Sequence, residues 1–150
     1  HETAKEIVAC YRERYGAIGV GEAAVYPGIP EILDAIDAAP GACAAVATLK
    51  HHTMAEKSLA RFDLTRRFAA IAAGTDARPS KARLIRQVME ELKWEDRSAA
   101  VMIGDSRYDG EGALEAWVDF VPSPPASAFR SRGALRACPP SLPPTPRRNW

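Results

Sequence analysis

An apolar run that ends in a glycine and two carboxylates is the strongest constraint on how this chain can fold. The run, AAVMIGDSRYD, occupies residues 99–109. Its apolar part is short and continuous, which is typical of a buried strand in a parallel sheet. Asp105 and Asp109 follow it directly, and ligands bind at the carboxyl edge of such a sheet. Two close carboxylates repel each other unless a cation separates them, and oxygen ligands on a tight loop suit Mg²⁺.

The same Gly-Asp-x-x-x-Asp pattern has a purely structural interpretation. In that interpretation Asp109 only caps the helix that follows the strand, by accepting hydrogen bonds from its first backbone N–H groups. Both interpretations place the two carboxylates on a loop between a strand and a helix. Other polar residues at the same edge of the sheet are needed to choose between them.

Apolar segments alternate with helical patterns along most of the chain. The predicted strands are 43–48, 68–73, 99–103 and 117–121. Helices are predicted over 3–15, from Pro30, from the capping-box sequence Thr53–Glu56 and after Ser80, where apolar residues recur at helical spacing. Strands that alternate with helices indicate an α/β fold with a Rossmann-like parallel sheet flanked by helices.

Composition excludes several classes of protein. The formal net charge is +1, but residues 121–150 hold five arginines and no acid, whereas the rest of the chain carries 15 basic and 19 acidic side chains. This mildly acidic body lacks the basic surface of a nucleic-acid-binding protein. No apolar run approaches the roughly 20 residues of a membrane span, and the polar start is unlike a signal peptide. The sequence does not indicate an oligomeric state.

Three widely spaced cysteines, Cys10, Cys43 and Cys138, form no Cys-x-x-Cys pair. This spacing argues against a disulfide framework and against a zinc site, and it favours a reducing compartment, here the cytoplasm. Cys10 and Cys43 have apolar neighbours and are predicted to be small core residues. Trp94 and Trp117 are likewise predicted to pack in the core rather than to stack on a ligand.

The last segment of the chain differs from the rest. Residues 122–150 contain eight of the twelve prolines and almost no hydrophobic periodicity, so we expect this segment to be disordered. A proline-rich tail that binds a partner is one explanation. Arginine with proline, serine and alanine, but without acids, also resembles out-of-frame translation, and this is the interpretation we favour.

Polar groups from three places in the chain are predicted to meet at one edge of the sheet. Thr48 ends the first strand, Lys81 opens the long helix, and Asp105 and Asp109 follow the third strand. Phosphoryl transfer needs such groups, because the hydroxyl and the ammonium bind phosphate oxygens and the carboxylates hold Mg²⁺. Taken singly, Thr48 could bond its own turn and Lys81 could be solvated. Their order and spacing support the shared site.

In these residues the chain resembles the haloacid dehalogenase superfamily of phosphohydrolases, in particular its phosphoglycolate phosphatase-like branch. The similarity runs from about Tyr11 to about Phe120 and is carried by short stretches in a fixed order. Those stretches are Tyr26–Ile29, Val46–Lys50, Ala55–Leu59, Gly74–Asp76, Ser80–Ile85 and Val101–Ala113.

The resemblance implies a role for each matching residue. Thr48 would bind the substrate phosphate, and Lys81 would steady the phosphate and the nucleophile. Asp105 would bind Mg²⁺, with Asp109 as its supporting acid. The implied activity is the Mg²⁺-dependent hydrolysis of a small phosphorylated metabolite, such as phosphoglycolate or a nucleoside monophosphate, under a helical cap that selects the substrate.

One motif of the family has no match. The family's nucleophile lies in an Asp-x-Asp-Gly-Thr sequence after the first strand, and no two aspartates of this chain are two residues apart. We therefore expect that the first strand, the nucleophile and most of the cap are missing, so that the neighbouring strands expose unpaired edges. The expected layout is a cap remnant at 1–21, a core fragment at 22–121 and the tail at 122–150. Such a piece of a phosphatase should be poorly stable and inactive in isolation.

Two other functions are compatible with parts of the sequence. A non-catalytic module would keep the fold, lose the nucleophile and bind phosphate or a partner protein, and a cooperative thermal transition would favour it. A receiver-like phosphoacceptor needs an acidic cluster at an earlier strand end, which this chain lacks. His51 and His52 are predicted to be structural, because adjacent helical residues point to different sides. Arg78 suits either an anion site or the surface.

Overall fold

The computed structural model describes residues 2–14, 18, 23–75 and 77–123. The helices are α1 (Glu2–Arg14), α2 (Ile29–Ala38), α3 (His52–Arg61), α4 (Lys81–Glu91) and α5 (Arg107–Ala116). The strands are β1 (Ala45–His51), β2 (Ala70–Gly74), β3 (Val101–Gly104) and β4 (Asp119–Pro122). Short 3₁₀ turns at Thr65–Arg67 and Arg97–Ala99 precede β2 and β3. Strands alternate with helices from β1 onward, as predicted.

The four strands form two separate parallel pairs instead of one sheet. β1 pairs with β2, from Ala45 opposite Ala70 to Thr48 opposite Ala73, and β3 pairs with β4. No backbone ladder joins β1 to β3 in the part of the chain that the structure describes. The predicted α/β class with an incomplete parallel sheet is therefore confirmed.

Helix packing holds the two strand pairs together. α4 lies on β1 and β2, α5 lies on β3 and β4, and the two helices contact each other. Their interface buries apolar residues of both helices and of the turn that follows α5, namely Ala82, Ile85, Met89, Ala113, Ala116 and Val118. A second cluster joins β2 to α4 through Ala70, Ala72, Leu84 and Val88. The helical spacing predicted after Ser80 is thus confirmed by the buried face of α4.

Local backbone chemistry determines where the helices begin. Gly28 precedes α2 with a φ of 86°, a left-handed conformation that glycine adopts at no steric cost, and Pro30 lies in the first turn. The predicted capping box at Thr53–Glu56 is wrong, because α3 already begins at His52 and its N-cap makes no side-chain hydrogen bond. The Thr53 hydroxyl instead bonds with Nδ1 of His51 at 3.0 Å.

Three predictions of core positions are wrong. Cys10 and Cys43 are exposed free thiols. Cys10 lies on α1, where every described side chain is exposed, and Cys43 precedes β1 beside its open edge. Trp117 is 76% exposed, because it ends α5 in a left-handed conformation with a φ of 63°, beyond the last buried turn. Trp94 does pack against the α4–α5 cluster, as predicted.

The predicted boundaries at residues 21 and 121 stay predictions. Residue 21 and nearly all of 122–150 lie outside the described ranges. Within those ranges no helix combines the length and the apolar character that are needed to cross a membrane.

Candidate functional site

Lys81 connects the two strand pairs at their carboxyl edge. It is the first residue of α4, and the Ser80 side chain caps that helix by accepting a hydrogen bond from Arg83 N at 3.2 Å. Nζ of Lys81 lies 2.8 Å from Oδ1 of Asp109 and donates to the carbonyl oxygen of Ala47 at 2.8 Å. The Lys81 and Asp109 side chains are only 10% and 8% exposed. Lys81 is therefore a buried ion-pair partner and not a solvated lysine.

Asp109 is held through both of its carboxylate oxygens. Oδ1 faces Lys81, while Oδ2 accepts hydrogen bonds from Ser106 N at 3.1 Å and from the Ser106 hydroxyl at 2.6 Å. Ser106 and Asp109 form a capping box at the start of α5. Burial acts to raise the pKa of Asp109, but the hydrogen bonds from Lys81 and Ser106 and the charge of Lys81 outweigh it, so the pKa is lowered. Asp109 thus caps a helix and also belongs to a charged site.

Two glycines make room for this ion pair. A Cβ atom on Gly104 would lie 2.5 Å from Cβ of Asp109, and a Cβ atom on Gly112 would lie 2.5 Å from Cγ of Lys81. Carbon atoms of residues that are not neighbours in the chain do not approach so closely. Gly104 therefore allows Asp109 to pack against the end of β3, and Gly112 allows the Lys81 side chain to pass close to α5.

Thr48 and Asp105 lie at the same edge as the ion pair. Thr48 follows Ala47 where the regular β1–β2 register ends, and its Oγ1 accepts a hydrogen bond from Lys50 N at 3.2 Å. This is the bond to its own turn that the structural interpretation predicts, and a hydroxyl that accepts one bond still has its own hydrogen to donate. Asp105 is exposed and directly follows Gly104 at the carboxyl end of β3.

Asp105 and Asp109 are oxygen donors of the kind that Mg²⁺ binds. Mg²⁺ is usually bound by one or two carboxylates together with water and phosphate oxygens. Asp105 presents such a carboxylate to solvent, whereas both oxygens of Asp109 are engaged by Lys81 and Ser106. In the described ranges no three His, Cys, Asp or Glu side chains are grouped to hold a metal ion. The donors fit a cation held by Asp105 and by oxygens from elsewhere, with Asp109 in a supporting role.

A cleft of about 800 Å³ opens next to Lys81. Its walls come from α1, the end of β1, the loop before α4 and one side of α5. Basic and aromatic side chains line it, among them Tyr11, Lys50, Arg78, Lys81 and Tyr108. The volume suits a small molecule. Arg78, which the sequence left between an anion site and the surface, lies on this wall with an uncommon left-handed φ of 48°.

Among the described residues, the acids that line the cleft are paired with arginines. Nε of Arg107 lies 2.9 Å from the Glu111 carboxylate, one turn along α5. Nη1 of Arg86 lies 3.7 Å from the carboxylate of Glu115. Because the arginines partly neutralise these two glutamates, the glutamates repel an anionic ligand in the cleft less strongly than unpaired glutamates would.

The imidazole rings of His51 and His52 lie closer together than the rings of two adjacent helical residues would. Their ring centroids are 4.3 Å apart and the ring planes are tilted by 36°. The prediction assumed that both residues are helical, but His51 ends β1 and only His52 belongs to α3. His51 also bonds Thr53 through Nδ1, which agrees with a structural role.

Sequence analysis missed Ser106, Gly104 and Gly112 as parts of this site. The spacing Ser106-x-x-Asp109 is that of a capping box and was a usable signal for the start of α5. The two glycines are informative only when the path of the Lys81 side chain is known. No pattern in the sequence indicates that the carbonyl group of Ala47 accepts a hydrogen bond from Lys81.

The chain is similar in sequence to proteins of known activity. It is 33% identical over 122 residues to the tyrosine-protein kinase PtkA of Mycobacterium tuberculosis, and the aligned region covers 80% of this chain and 41% of PtkA. It is 40% identical over 109 residues to a phosphoglycolate phosphatase of Agrobacterium fabrum, and here the aligned region covers 71% of this chain and 46% of that protein. The chain therefore spans less than half the length of these two relatives.

The fold is similar to that of a predicted phosphatase from Clostridium acetobutylicum. The two structures superpose with a TM-score of 0.73 at 32% identity, over 81% of this chain and 56% of the other. Residues 1–122 match the family model of the haloacid dehalogenase-like hydrolases. Because this match covers most of the chain and agrees with the superposed fold, the chain belongs to the haloacid dehalogenase-like hydrolase family.

Proposed function

We propose that this chain is the phosphate- and magnesium-binding part of a phosphomonoester hydrolase that acts on a small phosphorylated metabolite, such as phosphoglycolate or a nucleoside monophosphate. The observation that supports this most is the buried ion pair between Lys81 and Asp109, at the edge that also carries Thr48 and Asp105. A fixed ammonium group beside a hydroxyl and an exposed carboxylate is a suitable arrangement for a phosphate dianion.

Each of the four residues has a distinct task in this proposal. Lys81 binds a phosphate oxygen, and Asp109 keeps the Lys81 side chain in position. The Thr48 hydroxyl donates to a second phosphate oxygen. Asp105 holds Mg²⁺, which when bound offsets negative charge on the phosphate.

The attacking group lies outside these 150 residues in this proposal. Carboxylates are suitable nucleophiles for covalent catalysis, but the sequence contains no Asp-x-Asp. The chain alone therefore binds phosphate and Mg²⁺ without turning over a substrate. The free thiols of Cys10 and Cys43 support a reducing, cytoplasmic setting.

Binding measurements on the whole chain test the metal assignment. We expect isothermal titration calorimetry to show Mg²⁺ binding that inorganic phosphate strengthens. Asp105→Asn should weaken Mg²⁺ binding by about tenfold or more, which corresponds to about 1.4 kcal/mol. Asp119→Asn is the matched control, because Asp119 is an exposed carboxylate at the start of β4, the opposite end of the strands. Equal Mg²⁺ affinities for Asp105→Asn and the unmodified chain would overturn the assignment.

A turnover assay tests the position of the nucleophile. We expect the chain to release no phosphate from p-nitrophenyl phosphate with Mg²⁺ present. Hydrolysis that Lys81→Met abolishes would place an attacking group within these residues and would contradict this part of the proposal.

The second candidate is a non-catalytic module that binds phosphate or a partner. The engagement of both Asp109 oxygens favours it, because a carboxylate that is already satisfied contributes little to a metal site. Cooperative thermal unfolding, followed by circular dichroism, together with phosphate binding that is independent of Mg²⁺ would support the module over the hydrolase.

A further inference from the structure

Arg78 is a cation of the cleft wall that the described residues leave without a partner. Its side chain is exposed, and within the described ranges no carboxylate pairs with it. Arg67, Arg86 and Arg107, in contrast, each pair with a carboxylate. Arg78 precedes Lys81 by one loop turn, and both side chains line the cleft of about 800 Å³. An unpaired guanidinium on a cleft wall is available to an anionic ligand.

The loop before α4 fixes the backbone of Arg78. Arg78 N donates a hydrogen bond to the carbonyl oxygen of Thr75 at 3.0 Å, and Ala77 N donates to Oγ1 of Thr75 at 3.3 Å. Arg78 has a φ of 48°, a left-handed conformation that is uncommon for a residue with a side chain and that the surrounding structure must maintain. The position of Arg78 is therefore set by the loop and not by an ion pair.

The other charged side chains that line the cleft in the described part of the chain are engaged. Lys81 is paired with a buried carboxylate, and Nζ of Lys50 donates to a serine hydroxyl at 3.4 Å. Glu111 and Glu115 are paired with arginines. A phosphate group bound at Lys81 would therefore leave the positive charge of Arg78 unused.

The cleft has room for more than a phosphate group. Its volume of about 800 Å³ lies in the range of sites that hold whole small molecules. The Lys81 side chain is nearly buried, whereas the Arg78 side chain is exposed, so the two cations occupy different depths of the cleft. A ligand with one anionic group at each end would contact both of them.

We propose that Arg78 determines the selectivity of the site by binding a second anionic group, a carboxylate or a second phosphate, on the leaving group of the phosphomonoester. This inference rests on the proposed function, because Lys81 must bind the first phosphate. A guanidinium presents its N–H donors in a planar fork that matches either group through two hydrogen bonds. The substrates are then phosphomonoesters with two separate acidic groups, and those with a neutral or purely aromatic leaving group bind more weakly.

Phosphonates, which are not hydrolysed, test this inference by isothermal titration calorimetry on the whole chain at a fixed concentration of free Mg²⁺. Phosphonoacetate carries a carboxylate, and isobutylphosphonate has nearly the same shape with a neutral group in its place. We expect phosphonoacetate to bind about five- to tenfold more tightly, a modest factor because Arg78 is exposed to solvent. Arg78→Met should remove this preference and leave the affinity for isobutylphosphonate unchanged. Arg83→Met is the matched control, because Arg83 is an exposed arginine of α4 that does not line the cleft.

The possible outcomes separate this inference from the proposed function. Equal affinities for the two phosphonates, or a preference that Arg78→Met retains, would overturn the role of Arg78 and leave phosphate binding at Lys81 intact. If neither phosphonate nor inorganic phosphate binds, the proposed function is wrong and this inference with it. Tighter binding of benzylphosphonate than of phosphonoacetate would show that aromatic side chains select the leaving group, which also overturns the inference.

Methylenebisphosphonate identifies the second anionic group. If it binds more tightly than phosphonoacetate in a manner that depends on Arg78, the group is a second phosphate, and if it binds more weakly, the group is a carboxylate.

The salt dependence of the preference is measured on the unmodified chain, so it does not require a variant to fold. Salt screens the attraction between an exposed guanidinium and an anion. The preference for phosphonoacetate should therefore shrink as the NaCl concentration rises at constant free Mg²⁺. A preference that is independent of salt would contradict an ionic contact with Arg78.

Discussion

Nζ of Lys81 and Oδ1 of Asp109 lie 2.8 Å apart, although the two residues belong to different helices and are 28 positions apart in the sequence. Both side chains are nearly buried, and each has further hydrogen-bond partners. A buried pair of this kind costs desolvation energy when it forms, so its main energetic consequence appears when one partner is removed.

Removal of one partner should therefore destabilise the fold strongly. We expect Lys81→Met to lower the free energy of unfolding by about 3–5 kcal/mol, because it leaves the Asp109 carboxylate buried without its cation. Urea denaturation followed by circular dichroism measures this. Lys57→Met, on the exposed side of α3, is the matched control. The double variant Lys81→Met with Asp109→Asn should lose less than the sum of the single variants, and additive losses would contradict a direct ion pair.

The stability of the chain should depend on pH through Asp109. The folded-state pKa of this carboxyl is lowered from its ordinary value of 3.8. Its contribution to stability is therefore complete above the pKa of the unfolded state and is lost as the pH falls through the folded-state pKa. The difference in unfolding free energy between the unmodified chain and Asp109→Asn should be constant near neutral pH and should shrink in acid. If this difference in unfolding free energy instead grows on acidification, the folded-state pKa of Asp109 is raised and not lowered.

The close passage of Lys81 by α5 should make Gly112 intolerant of a side chain. Gly112→Ala would place Cβ 2.5 Å from Lys81 Cγ and should cost about 1–3 kcal/mol through overpacking, despite the better helix propensity of alanine. Gly110→Ala, in the same helix, meets only the Phe120 ring at 3.3 Å and gains the same propensity. Thermal unfolding of the two variants makes the comparison. Equal melting temperatures would show that Lys81 does not occupy the observed position.

The edge of β3 that does not pair with β4 should be detectable by amide hydrogen exchange. Val101 and Ile103 direct their N–H groups away from β4, so their amide protons should exchange rapidly in the free chain. Met102 and Gly104 direct theirs toward β4 and should exchange more slowly by several-fold within the same strand. Uniform exchange along β3, measured by NMR, would contradict the alternation.

The sequence predicts the order of the elements well because each strand is a short apolar run and α4 has an apolar face of helical period. The predicted strand 99–103 corresponds to Val101–Gly104, and 43–48 corresponds to Ala45–His51. The unpaired strand edges were expected only because the family's Asp-x-Asp motif is absent. The local sequence of a strand does not indicate which neighbouring strand is missing. Cys10 and Cys43 are wrongly placed because apolar neighbours in sequence do not by themselves indicate burial. Trp117 is wrongly placed because it lies beyond the last buried turn of α5.

The candidate site is predicted in its residue types but not in its contacts. Lys81 and Asp109 are in direct contact, whereas Thr48 adjoins the Ala47 carbonyl that Lys81 contacts and Asp105 follows the end of β3. The sequence left open whether Asp109 caps a helix or binds a ligand, and the structure shows that it caps α5 and pairs with Lys81. The pairing depends on side-chain rotamers and on the close approach of α4 to α5, which no spacing along the chain encodes.

The packing of α4 against α5 also explains why β1 and β3 do not pair with each other. β1 is attached to α4 and β3 to α5, so direct pairing of β1 with β3 would require the two helices to slide past each other. The side chains of Ala82, Ala113 and Ala116 are fully buried at that contact, which leaves no space for such a movement. The distance between the two strand pairs is thus fixed by small residues at the contact between α4 and α5, and enlarging one of them would move β1 and β3 further apart.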